Sequence, residues 1–130
     1  MKSLRAARVF ALAIATPIGS VAYGEDDDIG TCVRAAHVMS PSADAAHQRA
    51  DCTCVTPKLK ESLSDADYGF QRDVTALIAD GTINEIDFHD EVLAASKAHY
   101  ANGADAAAAP PRIDAARASA ETACKTPTNP

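Results

Sequence analysis

The sequence predicts an all-α fold, a small bundle of four to five short helices stabilised by two disulfides. Apolar residues recur every three to four positions between turn-forming residues, and no segment alternates as a β-strand does. Leu, Ile, Val and Phe make up only 16 of the 106 residues after position 24, about 15%, a level at which a highly charged chain is normally disordered. Four cysteines lie in this same part of the chain, and disulfides commonly stabilise exported domains with so small a core.

The first 24 residues have the three-part layout of a secretory signal peptide. Three basic residues precede an apolar run over 9–18, and small residues then lead to four consecutive acids at 25–28. Cleavage fits after Ala22 or after Gly24, so the exact site stays open. Proline and glycine interrupt the apolar run well short of the roughly 20 residues of a membrane-spanning helix. We therefore expect an exported bacterial protein, periplasmic or secreted.

The net charge argues against two kinds of partner. Without residues 1–24 the chain keeps nine basic and eighteen acidic residues, a net charge of about −9. Such a charge repels both nucleic-acid phosphates and anionic lipid surfaces. We therefore expect no nucleic-acid partner and no membrane association after signal cleavage. Another exported protein with a basic surface is the partner that this charge favours, and the sequence leaves the oligomeric state open.

Three helices are predicted in the first half of the mature chain. The first covers 29–39, where apolar residues share one stripe, and Ser40-Pro41 ends it. Residues 41–51 predict a short, mostly exposed helix with little apolar content. Thr53 is the expected N-cap of the third helix, which places Pro57 in the first turn, where the missing N–H of a proline costs little.

Ser64 and Gly81 mark the ends of the clearest predicted helix. Ser64 has a side chain suited to an N-cap, and Asp67 occupies the third helical position. Gly81 can adopt the left-handed conformation that commonly ends a helix. A further helix, with Asn84 as its N-cap, is expected to run to about residue 102.

The last predicted helix is the weakest one. Residues 104–111 end in two prolines and predict a linker or turn, so the helix is expected over about 111–124. Its stripe of one isoleucine, two alanines and Cys124 offers little apolar area, and a disulfide at Cys124 is expected to hold it. The predicted organisation is a signal peptide over 1–24, one helical domain over 25–124 and a flexible tail over 125–130.

The Cys52-Thr53-Cys54 motif predicts the covalent framework of this fold. On a helix, residues two positions apart point about 200° away from each other, so each sulfur faces a different neighbouring element. We expect Cys52 and Cys54 each to pair with Cys32 or Cys124, in an order that the sequence leaves open. These bonds close loops of about 20 and 70 residues, each worth about 3–4 kcal/mol in the chain-entropy treatment.

A functional alternative is a thiol-redox or copper-handling site centred on the same motif. A bond between Cys52 and Cys54 would close a small, strained ring and so be labile. Two thiolates and the nearby His47 would suit Cu(I), which prefers soft ligands. The chain lacks the Cys-x-x-Cys spacing that is typical of redox and zinc sites. We therefore expect no metal and no cofactor.

No catalytic constellation is recognisable from the sequence. The serines lack a Gly-x-Ser-x-Gly elbow, and no glycine-rich loop of the phosphate-binding kind is present. The segment 80–87 is similar to the second half of a calcium-binding EF-hand loop, but the ligands of the first half are missing. The sequence leaves cation binding there open. We expect a protein that is not an enzyme.

The expected function is a non-enzymatic binding or accessory role, in which a helical face contacts another exported protein in the periplasm. Such a face needs an exposed apolar patch of several hundred Å². The helical domain offers four aromatic residues near which a patch could form: Tyr68, Phe70, Phe88 and Tyr100. We predict the interaction surface around these residues.

Overall fold

The computed structural model describes residues 25–125, with side chains from residue 27 onward, and contains no β-strand between these limits. Five α-helices follow one another, with a short 3-10 helix (Thr82–Asn84) before the fourth: α1 (Glu25–Met39), α2 (Ala45–Ser62), α3 (Asp65–Ala79), α4 (Phe88–His99) and α5 (Gly103–Cys124). The predicted all-α bundle with two disulfides is thereby confirmed. The predicted signal peptide and residues 126–130 of the predicted tail lie outside the described residues.

Helix α1 packs against both α2 and α3. Cys32 bonds to Cys52, and Gln48 hydrogen-bonds to the end of α1, so α1 and α2 run antiparallel. Helix α4 packs on α3, and α5 packs mainly on α2. Helices α2 and α3 contact each other little, which leaves space between them. None of the helices between residues 25 and 125 is long and apolar enough to cross a bilayer.

Side chains close the junction between α1 and α2. The buried amide of Gln48 donates from Nε2 to the carbonyl oxygens of Ala36, at 3.2 Å, and Ser40, at 3.1 Å. Each carbonyl also accepts a backbone N–H, Ala36 from Ser40 at 2.9 Å and Ser40 from Ala43 at 3.1 Å, so the Gln48 amide adds a second donor to both. Asp44 is the N-cap of α2 and accepts a hydrogen bond from the backbone N–H of His47 at 3.1 Å.

The predicted break in the helix near Thr53 is wrong, because α2 runs through it without interruption. Thr53 is a mid-helix residue whose hydroxyl donates to the carbonyl oxygen of Arg49 at 2.7 Å. Pro57 lies inside the helix, where it supplies no N–H to the Thr53 carbonyl. The disulfides of Cys52 and Cys54 attach α2 to two other helices and so offset this local loss.

The predicted linker over 104–111 is also wrong, because these residues form the first part of α5. Asn102 is the N-cap, and its Oδ1 accepts from the backbone N–H of Asp105 at 2.9 Å. Four alanines follow, and alanine has the highest helix propensity of all residues. The helix continues through both prolines, and Arg112 Nη1 donates to the Ala108 carbonyl at 3.0 Å. Ala109 is completely buried, so packing holds the helix there.

The predicted ends of α3 are confirmed. The Ser64 hydroxyl accepts a hydrogen bond from the backbone N–H of Asp67 at 3.1 Å, and Gly81 has a φ of 82°, which few other residues adopt. The predicted start of the next helix is wrong by three residues, since the N-cap is Asp87 and not Asn84. Asn84 lies in the 3-10 helix, and α4 begins at Phe88.

Candidate functional site

A cleft of about 1210 Å³ opens between α1, α2, α3 and the C-terminal end of α5. Its apolar lining includes Ala35 of α1, Val55 and Leu59 of α2, and Ile78 of α3. Binding sites for small molecules commonly have volumes of roughly 300–1,000 Å³ and mostly apolar walls, so this cleft is large enough for a small molecule and slightly exceeds the usual range. The size and lining of this cleft therefore make it the candidate functional site.

The cleft exists because small side chains occupy positions that face the interior. Ala35 and Thr56 are buried, Ala36 and Thr75 are half-buried, and all four line the cleft. In a well-packed helical bundle, such positions are filled by leucine, isoleucine, valine or phenylalanine. No large side chain in the described part of the chain is completely buried. The helices therefore leave an open space on this side of the bundle that side chains do not fill.

Both disulfides lie beside the cleft and attach two of the surrounding helices to α2. Cys32–Cys52 joins α1 to α2 with a Cα–Cα distance of 5.8 Å, and Cys54–Cys124 joins α2 to α5 with one of 5.9 Å. This is one of the two orders of pairing that the sequence left open. All four cysteines of the chain are bonded. The two bonds are compatible with an oxidising compartment, and they hold α1 and α5 on different sides of α2.

Charged side chains also line the cleft. Arg72 of α3, Arg117 and Glu121 of α5, and Lys125 just after α5 all line it. The Nε atom of Arg72 is 3.8 Å from a carboxylate oxygen of Asp73. Because these charges lie beside an apolar floor, the cleft is amphipathic.

Two further carboxylates of the cleft already have partners. The Tyr68 hydroxyl donates to the buried carboxylate of Asp28 at 2.6 Å, which links α3 to α1. Asp51 lies 3.2 Å from Nε2 of His47, one turn earlier on α2. Each of these carboxylates therefore has one hydrogen-bonding or ion-pair contact within the protein.

A cluster of three titratable groups ties α3, α4 and α5 together outside the cleft. The carboxylate of Asp67 accepts from Arg112 Nε at 2.8 Å and Nη2 at 3.0 Å, and from the Tyr100 hydroxyl at 2.7 Å. The Asp67 side chain is buried, whereas that of Arg112 is half exposed. No buried polar side-chain atom among the described residues lacks a hydrogen-bond partner.

The electrostatics of this cluster favour a structural role. The hydrogen bonds from Arg112 hold the pKa of the Asp67 carboxyl below its usual value, although burial opposes this. Burial, and then the hydrogen bond to Asp67, raise the pKa of the Tyr100 hydroxyl well above its usual value. A carboxylate that is already bound by three donors is a poor general base, and a phenol that resists ionisation is a poor acid at neutral pH. The arrangement suits a structural link that holds the three helices together.

The four aromatic residues of the predicted interaction surface do not form one patch. Phe70 and Tyr100 pack edge to face with their ring centroids 5.6 Å apart, and both line a smaller groove of about 600 Å³ between α4 and the start of α5. Tyr68 lines the large cleft instead. Phe88 is half-buried at the start of α4 and lines neither.

The described residues contain no group of three or more His, Cys, Asp or Glu side chains placed to hold a metal ion. The EF-hand-like segment forms the connection between α3 and α4, with Asp80 and Asp87 both exposed at its ends. Around the Cys-Thr-Cys motif, His47 pairs with Asp51, and both sulfurs are bonded to other helices.

Sequence reasoning missed both the cleft and the Asp67 cluster. The signal for the cleft was the placement of alanine and threonine on the inward stripes of α1, α2 and α3, for example at Ala35 and Thr75. The signal for the cluster was weaker, since Arg112 lies 45 residues from Asp67 and only tertiary structure brings them together. No protein-family model, curated protein or solved structure matches this chain at a significant level.

Proposed function

We propose that this chain is an exported, non-enzymatic binding protein whose ligand occupies the cleft between α1, α2, α3 and α5. The observation that carries the proposal is a large, mostly apolar cleft beside two disulfides that fix the helices around it. Preformed apolar clefts with a few polar groups are the usual form of binding sites. A covalent frame also lowers the entropy lost on binding, because the site is already ordered.

Export to the periplasm or the exterior is part of the proposal. The signal-like residues 1–24 support it, and so do the two disulfides, because such bonds form and persist mainly in oxidising compartments. The acidic surface, with a net charge of about −9 over residues 25–130, favours solubility there.

The cleft is better suited to binding than the predicted aromatic surface. Tyr68, Phe70, Phe88 and Tyr100 are all at least half-buried and are divided between two sides of the bundle. The thiol-redox or copper-handling alternative has less support, since Cys52 and Cys54 are each bonded to a different helix and leave no thiolate at the motif. Counting thiols under denaturing, non-reducing conditions tests this alternative separately.

The proposal is tested by filling the cleft. Ala35→Leu and Thr75→Leu each add apolar volume at a lining position, so they should exclude a ligand while keeping or raising the free energy of unfolding. The probe is anilinonaphthalene sulfonate, whose fluorescence rises in apolar sites. The wild type should bind it saturably, and both variants should lose most of that binding.

Ala50→Leu is the matched control, because Ala50 is exposed on α2 and does not line the cleft. It should leave dye binding unchanged. Cooperative thermal unfolding of each variant must accompany the measurement, since loosely packed states also bind this dye. If folded Ala35→Leu and Thr75→Leu bind the dye as the wild type does, the cleft is not the binding site and the proposal fails.

A further inference from the structure

We infer that the ligand of this cleft is an amphipathic anion, with a slender apolar body such as an alkyl chain and a carboxylate or phosphate head group. The inference rests on the proposed binding function and adds the chemical class of the ligand. It is carried by the shape of the cleft and by the charged residues that line it.

The cleft is long and follows the helix axes. Its lining extends along α1 from Thr31 to Met39 and along α2 from His47 to Leu59. At about 1.5 Å per residue, these stretches correspond to lengths of about 12 and 18 Å. The side chains between them that face the cleft are mainly apolar or small, such as Ala35 and Val55. A slender apolar molecule fits such a channel better than a compact polar one.

The charges beside the cleft have a different balance from those of the whole domain. Three of the nine basic residues after position 24 line it: Arg72, Arg117 and Lys125. Only three of the eighteen acids do so: Asp28, Asp51 and Glu121. The lining is therefore formally neutral, with three cations and three acids, in a chain whose net charge over residues 25–130 is about −9.

Two of the three acids also have contacts within the protein. Asp28 is buried and accepts from Tyr68, and Asp51 is paired with His47. Glu121 lies four positions from Arg117 and four from Lys125, and all three line the cleft. An anionic head group placed near Arg117 and Lys125 gains two attractive charges for one repulsive one. A cationic head group meets the opposite balance.

The affinity for alkyl ligands should depend on chain length in a defined way. Each methylene that enters the cleft should tighten binding about fourfold, the factor that follows from the free energy of burying one CH₂. Octanoate, decanoate and dodecanoate should thus differ by about 15-fold at each step until the chain fills the cleft. Isothermal titration calorimetry on the full mature chain, below the micelle concentration, measures these steps.

The head group is tested at constant chain length. Dodecanoate and dodecyl phosphate should both bind at least tenfold more tightly than dodecanol, and dodecyltrimethylammonium should bind worst. The ratio between the carboxylate and the phosphate distinguishes a free fatty-acid-like ligand from a phospholipid-like one. In the double variant Arg117→Gln/Lys125→Gln the preference for dodecanoate over dodecanol should fall several-fold. Lys60→Gln, an exposed control on α2 outside the cleft, should leave it unchanged.

Failure of this inference can be separated from failure of the proposed function. If the dye binds in the cleft but dodecanol or the ammonium compound binds as tightly as dodecanoate, the ligand class is wrong and the binding function stands. If Ala35→Leu leaves dodecanoate binding intact, the alkyl chain lies elsewhere and the inference is overturned. If the filled variants also keep the dye, both proposals fail together.

Discussion

Arg112 on α5 binds the carboxylate of Asp67 on α3 through two hydrogen bonds, from Nε at 2.8 Å and from Nη2 at 3.0 Å. The two residues are 45 positions apart in the sequence. At the far end of α5, Cys124 is bonded to Cys54 of α2. Helix α5 is therefore fixed in two places by specific bonds, although only Ala109, Ile113 and Ala120 on it are buried.

We predict that Asp67→Asn lowers the free energy of unfolding by about 1.5–3 kcal/mol, the range for hydrogen bonds that involve a charged group. The substitution removes the charge that both Arg112 and the Tyr100 hydroxyl bind. Urea denaturation followed by circular dichroism measures the loss. Asp65→Asn is the control, since Asp65 is exposed in the first turn of the same helix. It should cost at most about 1 kcal/mol, through the helix dipole. Equal losses in the two variants would contradict the role given to Asp67.

We predict that the difference between wild type and Asp67→Asn depends on pH. The pKa of the folded Asp67 carboxyl is lowered from 3.8, mainly by the hydrogen bonds from Arg112. A lowered folded-state pKa contributes stability that is fully present above the unfolded value and is lost as the pH falls through the folded one. The wild type should therefore be more stable than the variant near neutral pH, and the gap should close below about pH 3.8. Thermal unfolding over an acid pH series measures it, and a gap that persists there would show that the charge of Asp67 is not its source.

The sequence was sufficient for the fold class, because periodicity and N-caps are local signals. Ser64 and Gly81 behave as predicted. It was insufficient around the prolines, since Pro57 and the proline pair of α5 lie inside helices that tertiary contacts stabilise. Propensity alone cannot show that a disulfide or a buried alanine such as Ala109 will outweigh the loss of a backbone hydrogen bond.

The candidate site was harder to predict than the fold. A cleft is defined by side chains that are too small for their positions, and this becomes visible only when the helices are placed around a common interior. Thr56 and Thr75 belong to different helices, and neither is unusual in its own segment. The disulfide framework could be predicted as a pair of bonds, but its order depends on which side of α2 each cysteine faces.

We predict that the two disulfides contribute unequally to stability. The Cys32–Cys52 bond closes a loop with a sequence separation of 20, and the Cys54–Cys124 bond one of 70. In the chain-entropy treatment these loops differ by about 1 kcal/mol in favour of the longer one. The double variant Cys54→Ser/Cys124→Ser should therefore be less stable than Cys32→Ser/Cys52→Ser by about this amount. Denaturant unfolding of both double variants, with the remaining bond verified by mass spectrometry, checks the order.

The reverse order of stability between the two double variants would assign the main effect to packing. Cys52 is 4% exposed, whereas Cys54 is half-buried, so removal of the shorter loop also places a serine hydroxyl in a buried position. If Cys32→Ser/Cys52→Ser is the less stable variant, burial of Cys52 outweighs loop length. In either case one of the two covalent links beside the cleft is lost. Dye binding should therefore weaken along with stability.

We predict that Gly69→Ala destabilises the protein although alanine is the better helix former. A Cβ atom at position 69 would lie 2.6 Å from Cε1 and 2.8 Å from Nδ1 of His99. The imidazole cannot move away freely, because its Nε2 lies 2.6 Å from the Asp73 carboxylate. The overlap should therefore cost about 1–3 kcal/mol, more than the roughly 1 kcal/mol that alanine gains over glycine in a helix. The free energy of unfolding in urea measures the net change.

Two comparisons separate the effect of steric overlap between residue 69 and His99 from the effect of helix propensity. Gly30→Ala in α1 has only an ordinary contact with Arg34 at 3.7 Å, so it should raise stability by up to about 1 kcal/mol. In a His99→Ala background the obstacle is absent, and Gly69→Ala should become stabilising by a similar amount. A double-mutant cycle of Gly69→Ala and His99→Ala should thus give a coupling energy of more than about 1 kcal/mol. A coupling near zero would mean that the close approach of α4 to α3 at Gly69 does not constrain the residue at this position.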